Sequence, residues 1–144
     1  MSVTFYELIK TKLSNRRMLK SYIPAIFAGE GKIFGSLSII FCSDEYLLDM
    51  NRLHLNHDFY TDIITFDLSE SKVLPIIGEL YISVDRVKEN AWKNDVIFTN
   101  ELLRVIFHGA LHLCGYGDKK RDEIVVMRSK EQQYLRLYVE QQQK

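Results

Sequence analysis

Features that define several protein classes are missing from this sequence of 144 residues. It has only two cysteines, Cys42 and Cys114, too few for the disulfide framework of a small secreted protein, and we expect both thiols to be reduced and to lie in or near the core. No apolar run approaches the roughly 20 residues that a transmembrane helix needs. The first residues, MSVTFYELIKTKL, lack the basic flank and apolar stretch of a secretory signal. We therefore expect a soluble protein of the cytoplasm.

Linkers and internal repeats are missing as well. The chain has only two prolines and no low-complexity segment, and its length suffices for one domain with its own core. Apolar residues make up 47% and charged residues 26%, which is typical of a globular protein. We therefore expect a single domain over residues 1–144.

Neither sign of charge is in excess, since the formal net charge is zero. The basic residues are nevertheless clustered, near the start of the chain and again after residue 118. Such patches can guide a phosphate backbone, although a solvated surface is the simpler explanation for each. The two clusters are Lys10, Lys12, Arg16, Arg17 and Lys20, and Lys119, Lys120 and Arg121.

Hydrophobic patterning predicts an α/β (α+β) fold with the element order β-α-β-α-β-β-α-α-α. We expect a small mixed sheet of about four strands, packed with about five helices, whose last two strands form an antiparallel pair. Asn15 and Ser43 are predicted N-caps, and Gly115 is predicted to end the fourth helix in the left-handed conformation. The predicted strands span residues 2–8, 35–42, 61–68 and 78–84, and the predicted helices span 15–28, 44–53, 85–94, 99–113 and 122–142.

The segment HGALHLCGYGD, residues 108–118, begins in the last turns of a predicted helix that is apolar nearly all round and therefore buried. His108 and His112 are four residues apart, so their Cβ atoms lie about 5–6 Å apart on one face and both imidazoles can bind one ion. Gly115 allows the chain to turn back, which lets Asp118 reach the same ion. We predict a metal site formed by these three side chains. Two alternatives stay open: a buried helix with satisfied histidines, and Asp122 in place of Asp118.

The spacing of this segment matches the zinc-protease pattern H-E-x-x-H-x-x-G-x-x-H, with aspartate in the last position. The proteases use the glutamate after the first histidine as their general base. Here that position is Gly109, which cannot accept a proton. The sequence therefore favours a zincin-like metal helix without protease chemistry.

HGALHLCGYGD resembles the H-G-x-L-H-L-x-G-Y-D-H signature of the YbeY family of endoribonucleases, the rRNA maturation factors. Upstream, NRLHLNHDFYTDIITFDL is similar to the family's L-N-x-x-Y-R-x-x-D-x-P-T-D-V-L-S-F segment, and GELYIS is similar to its G-D-I-x-I-S strand. Met127 and Glu131 fall where the family has a methionine and a glutamate in its last helix. The resemblance runs in order from about residue 35 to 135. The upstream matches are Asn51, Asp58, Thr61, Asp62 and Phe66.

The departures of the chain from the family pattern include Asp118, Leu55 and Tyr60. Asp118 stands where the family usually has a third histidine; a carboxylate binds zinc well, but it lowers the charge of the site and so makes bound water a weaker acid. Leu55 stands where the family has an arginine thought to help catalysis, and Arg52 is a possible substitute. Tyr60 replaces the usual proline.

The resemblance implies a single-strand-specific, metal-dependent endoribonuclease in small-subunit (16S) rRNA maturation and ribosome quality control. It implies one divalent ion per chain, for which we expect zinc, and ribosomal RNA and the small ribosomal subunit or its proteins as partners. We expect the chemistry to come from the metal and its water, with Arg52 and Thr65 as further catalytic candidates. Candidates for holding the RNA backbone are Arg52, Arg104, Lys119, Lys120 and Arg121.

Several of these candidates have a structural alternative. Arg104 can simply pair with Glu101 on its own helix, and Thr65 is a β-former in a strand. Glu79 can face either the site or solvent. His54 and His57 are a further histidine pair. Two other functions also stay open: a metal-dependent hydrolase of another substrate, and a ribosome-associated RNA-binding module with a structural metal, which Leu55 keeps plausible.

Overall fold

The computed structural model describes residues 2–71 and 73–143, and it has the predicted element order. The predicted α+β fold, with four strands in one mixed sheet and five helices, is confirmed. The strands are β1 (Ser2–Glu7), β2 (Phe34–Cys42), β3 (Ile63–Asp67) and β4 (Ile76–Ser83). The helices are α1 (Arg16–Gly29), α2 (Asp44–Leu55), α3 (Val84–Lys93), α4 (Phe98–Leu113) and α5 (Arg121–Gln142).

The strands lie in the order β1-β2-β4-β3. β1 and β4 both run parallel to β2, while β3 runs antiparallel to β4 with Thr65 opposite Leu80. The predicted antiparallel pair is therefore confirmed. Because β3 is an edge strand, its free side borders the surface on which the histidines of α4 lie.

The core lies mainly on one face of the sheet. Leu37, Ile39 and Phe41 alternate along β2 towards this face, where they join the buried side chains of α1, α4 and α5. A smaller cluster on the other face joins Cys42 and Ile64 to Leu47 of α2. Burying each of these large side chains contributes about 1.5–3 kcal/mol, so the two clusters fix how α2 and α4 sit on opposite faces of β3.

Helix α4 is buried almost all round, as its apolar sequence predicts. It packs against the sheet and against α1, α3 and α5. The fully buried Phe107 lies in an aromatic cluster with Tyr22 and Tyr138 from the two terminal helices. The only side chains on its later turns that reach solvent are two histidines and one arginine, Arg104.

Both cysteines are free thiols buried in the core, as predicted. Burial raises the pKa of Cys42 and that of Cys114 to about 12, so neither is a thiolate near neutral pH. Among residues 2–71 and 73–143, no helix combines the length and the apolar character needed to cross a bilayer.

One predicted helix cap is confirmed and the other is wrong. The Ser43 side chain accepts a hydrogen bond of 3.1 Å from the Tyr46 N–H, as an N-cap does. Asn15 precedes α1 but its side chain makes no capping hydrogen bond. Its φ of 57° is left-handed, whereas a capping side chain needs an extended backbone to fold over the first turn.

Candidate metal centre and cleft

His108 and His112 project from the last turns of α4 towards a common point. Their rings meet edge to face with centroids 4.7 Å apart. The Nε2 atom of each lies 3.2 Å from the same oxygen of Asp118, Oδ2. The structure therefore brings together the three side chains that the sequence singled out. Asp122 is an exposed residue of α5 whose carboxylate accepts a hydrogen bond from Glu123, and it takes no part in this group.

The spacing of the three ligand atoms fits a divalent ion. Ligands that lie about 2.0–2.1 Å from a tetrahedral zinc are roughly 3.3–3.4 Å apart, close to the two observed distances. The three atoms also lie within 4.8 Å of one another. Among the described residues, no other group of three or more histidine, cysteine or acidic side chains comes this close. Two imidazoles and one carboxylate would leave a fourth coordination position for water or substrate.

Two contacts hold the loop after α4, which carries Asp118. Gly115 has a φ of 105°, which turns the chain back after the helix. The Tyr116 hydroxyl then donates a hydrogen bond of 2.5 Å to Glu30, at the end of α1. Gly117 follows against the Glu123 carboxylate, which a Cβ at residue 117 would approach to 2.6 Å. The loop is thus fixed on both sides of the turn.

Glu131 of α5 holds the other side of the first histidine. Its Oε2 lies 2.5 Å from Nδ1 of His108, and its side chain is only 1% exposed. A carboxylate at this position keeps the proton on Nδ1, which leaves the Nε2 lone pair for an ion. Burial opposes the charge of Glu131, but the hydrogen bond with His108 and the nearby Arg104 guanidinium outweigh it, so its pKa is lowered.

Arg104 links this carboxylate to two others. Its guanidinium makes two hydrogen bonds to Glu101, of 2.7 and 3.0 Å, and one of 3.0 Å to Glu131. Asp62 lies 3.9 Å away on the cleft side. Burial raises the pKa of Asp62 even though Arg104 opposes this effect. The guanidinium therefore partly offsets the charge of Glu101 and Glu131 behind the histidines and of Asp62 in the cleft lining.

A cleft of about 470 Å³ opens above the histidines. Its floor contains His108, His112 and Asp118, and Thr65 of β3 lines one side. Asn51 and Leu55 of α2 also line the cleft, as do residues of the segment between α2 and β3. These are His57, Phe59, Thr61 and Asp62, and the exposed Lys119 lies at the rim.

A family model described as Endoribonuclease YbeY matches residues 7–139. The chain belongs to the YbeY family. A relative of that name from Cytophaga hutchinsonii is 47% identical over 133 residues, which cover 92% of each chain. One from Parabacteroides distasonis is 41% identical over 142 residues, which cover 98% of this chain and 99% of the relative. The solution structure of a Thermotoga maritima protein is 26% identical, with a TM-score of 0.65, and the match covers 98% of this chain and 91% of that one.

The family resemblance predicted from the sequence is thus confirmed, and the structure locates the departures from its pattern. Leu55, at the position of the YbeY arginine, lines the cleft and is 40% exposed. The possible substitute, Arg52, lies outside the cleft lining, with its Nε 2.6 Å from Asp58 and an Nη 3.8 Å from Asp49. The Arg52 side chain is thus engaged with two acidic neighbours on the surface and does not stand in for the family arginine at the position of Leu55 in this structure.

The other candidates are distributed unevenly. Lys119 lines the YbeY cleft, whereas Lys120 and Arg121 lie on the exposed surface where α5 begins. Arg104 pairs with Glu101, as the structural alternative has it. Glu79 alternates with Leu80, whose side chain faces α4, so Glu79 points to the other face of the sheet.

Gly109, at the position of the protease glutamate, is closely packed in this structure. A Cβ at this position would lie 2.7 Å from Leu80 and 2.8 Å from Ile63. Helix α4 therefore touches β3 and β4 directly at residue 109. A side chain at residue 109 would require Leu80 and Ile63 to move, so packing as well as sequence disfavours a general base of the zinc-protease kind at this position.

Two residues that support the metal group, Glu131 and Glu30, were not predicted from the sequence. Glu131 was noted only as a match in the last helix, and its contact with His108 spans 23 positions of the chain. Glu30 gave no signal at all, because it lies 86 positions from Tyr116 and looks like an ordinary charged helix end.

Proposed function

We propose that this protein is a metal-dependent endoribonuclease that cuts single-stranded RNA in the maturation of small-subunit (16S) rRNA and in ribosome quality control. The relatives named Endoribonuclease YbeY support RNA as the substrate. The observation that carries the proposal is the convergence of His108, His112 and Asp118 at the floor of an open cleft. The proposed partners are ribosomal RNA and the small ribosomal subunit or its proteins, and the proposed location is the cytoplasm.

We assign one zinc ion per chain to this group, because three nitrogen and oxygen ligands with one open position are typical of catalytic zinc sites. When bound, zinc supplies a Lewis acid for a phosphoryl oxygen and lowers the pKa of water from about 16 towards 7. The residues 1–144 are proposed to form a single domain, since one hydrophobic cluster extends from Val3 to Tyr138.

The chain's own side chains would orient the substrate. Glu131 fixes the His108 ring, so the ligand geometry is set before RNA enters. Lys119 at the rim can pair with a phosphate, and the Thr65 hydroxyl can contact the strand inside the cleft. Lys120 and Arg121 can continue the contact with the RNA backbone outside the cleft. Arg104 serves the acidic groups behind the histidines and is assigned no RNA contact.

Metal content and RNA cleavage test this proposal together. The wild-type protein, His112→Ala and Asp118→Ala are purified, and zinc per chain and cleavage of a single-stranded RNA are measured. We expect about one zinc and cleavage in the wild type, and loss of both in the two variants. Asp122→Ala is the matched control, because this neighbouring aspartate lies outside the metal group. A wild-type protein that binds no added metal contradicts the proposal.

A second candidate function rests on Leu55. Without an arginine at this position, the cleft has less positive charge to stabilise a phosphodiester under attack. An RNA-binding module with a structural metal would then bind zinc and RNA and cleave nothing, a result that the same experiment distinguishes.

A further inference from the structure

Two aromatic rings form the outer lip of the cleft. His57 and Phe59 are stacked, with centroids 5.1 Å apart and planes inclined by 22°. Both line the cleft, and Phe59 is 55% exposed. The pair therefore presents an uncovered aromatic face beside the metal group.

A buried residue fixes this lip in place. Asn51 of α2 is only 2% exposed, and its side-chain N–H donates a hydrogen bond of 2.8 Å to the carbonyl oxygen of Phe59. The carbonyl oxygen of Asn51 accepts a hydrogen bond of 3.1 Å from the His57 N–H. The backbones of both aromatic residues are thus tied to a single buried position. An ordered aromatic surface loses less entropy on binding than a mobile loop does.

The cleft lining combines two kinds of chemistry. Leu55, His57 and Phe59 contribute apolar and aromatic surface, whereas Lys119 contributes a positive charge. Single-stranded RNA offers a match for both: unstacked bases bind aromatic rings, and phosphates bind cations. A strand that enters the cleft can place a base on the aromatic wall with its backbone towards Lys119 and the metal group.

We propose that the His57–Phe59 pair is a stacking platform for one unpaired nucleobase of the RNA. This inference rests on the proposed function and names how the site holds its substrate. Stacking would give this chain a contact with RNA that does not depend on charge, close to Leu55, which stands where the family has an arginine. The stacking contribution to binding should therefore tolerate many base sequences and depend less on salt than the phosphate contacts do.

An intrinsic fluorophore tests the platform. Trp92 is the only tryptophan, is 82% exposed and lies on α3, outside the cleft lining. The double variant Trp92→Phe, Phe59→Trp moves the single indole to the platform. Zinc-loaded protein is titrated with a 2′-O-methyl oligoadenylate of about ten nucleotides, and with a backbone of the same length and charge that lacks bases. We expect quenching by the oligoadenylate and none by the abasic chain; equal quenching by both would overturn the proposal.

Affinity gives an independent measurement. Phe59→Ala should weaken binding of the oligoadenylate about 5- to 150-fold, the loss typical of one stacked base, and should leave binding of the abasic chain unchanged. Phe59→Tyr should restore binding. Trp92→Ala is the matched control, an exposed aromatic outside the cleft, and should have no effect. Wild-type affinity in Phe59→Ala would overturn the proposal.

The outcomes separate this inference from the proposed function. RNA cleavage with unchanged affinity and KM in Phe59→Ala refutes the platform and leaves the nuclease intact. Base-dependent quenching without any RNA cleavage refutes the nuclease and leaves the platform intact. Since Phe59 is largely exposed, its variants should unfold at the wild-type temperature, and a lowered Tm would assign the residue a structural role instead.

Discussion

Replacing Glu131 by glutamine isolates what the buried carboxylate does for the metal site. Both of its oxygens are engaged, one with Nδ1 of His108 at 2.5 Å and the other with Arg104 at 3.0 Å. A glutamine has a single oxygen acceptor, so it can satisfy only one of these two donors, and one charge-assisted hydrogen bond of about 1.5–3 kcal/mol is lost. It also carries no charge to hold the imidazole proton on Nδ1.

We therefore expect Glu131→Gln to weaken zinc binding about 10- to 100-fold, equivalent to roughly 1.4–2.7 kcal/mol. Competition with a chromogenic zinc chelator measures this loss directly. Glu101→Gln is the matched control: Glu101 is also buried, at 5% exposure, and also pairs with Arg104, but it forms no hydrogen bond with His108. Both variants should lower stability, and only Glu131→Gln should lower zinc affinity. Equal zinc affinity in the two variants would refute the argument.

Two further predictions concern packing and pH. Gly109→Ala should lower the urea midpoint of unfolding, because the added methyl would lie 2.7 Å from Leu80. Overpacking of this kind costs about 1–3 kcal/mol, which exceeds the roughly 1 kcal/mol that alanine gains in helix propensity. A stabilised variant would contradict the close contact. Burial opposes the charge of Glu30, but hydrogen bonds from Tyr116 and Tyr134 and the Lys130 ammonium outweigh it and hold its pKa below the ordinary 4.5. This stabilisation is complete above pH 4.5 and is lost as the pH falls through the lowered pKa. Glu30→Gln should therefore be less stable than wild type in urea unfolding at pH 7, and the difference should shrink in acid; a difference independent of pH would contradict ionisation of Glu30.

The sequence predicted those parts of the fold that depend on neighbouring residues. Strand and helix order followed from hydrophobic period, and the end of α4 followed from Gly115, whose left-handed φ only glycine adopts without strain. His108, His112 and Asp118 could be grouped because they lie close together in the sequence. The wrong N-cap at Asn15 has the same origin, since residue type indicates a cap but does not fix the backbone conformation that a cap requires.

Contacts between distant segments could not be predicted from one sequence. The polar pattern of α5 does not show whether Glu131 contacts His108 or faces solvent. A helix of mixed polarity is compatible with either position. Asn51 was a family match without an assigned role, and its hold on Phe59 depends on how α2 sits against the following loop. Such contacts are set by packing of whole elements, which residue propensities do not specify.

The three side chains of the proposed zinc site all come from residues 108–118. An unfolded chain would still carry this complete donor set on one short segment, so it should retain an affinity for zinc of its own. An ion stabilises a protein only by the difference between its affinities for the folded and the unfolded chain. Zinc should therefore contribute less to the free energy of unfolding than its affinity for the native site suggests. The part that is specific to the fold comes from what only the native state supplies: the buried carboxylate behind His108 and the tyrosine anchor of the Asp118 loop.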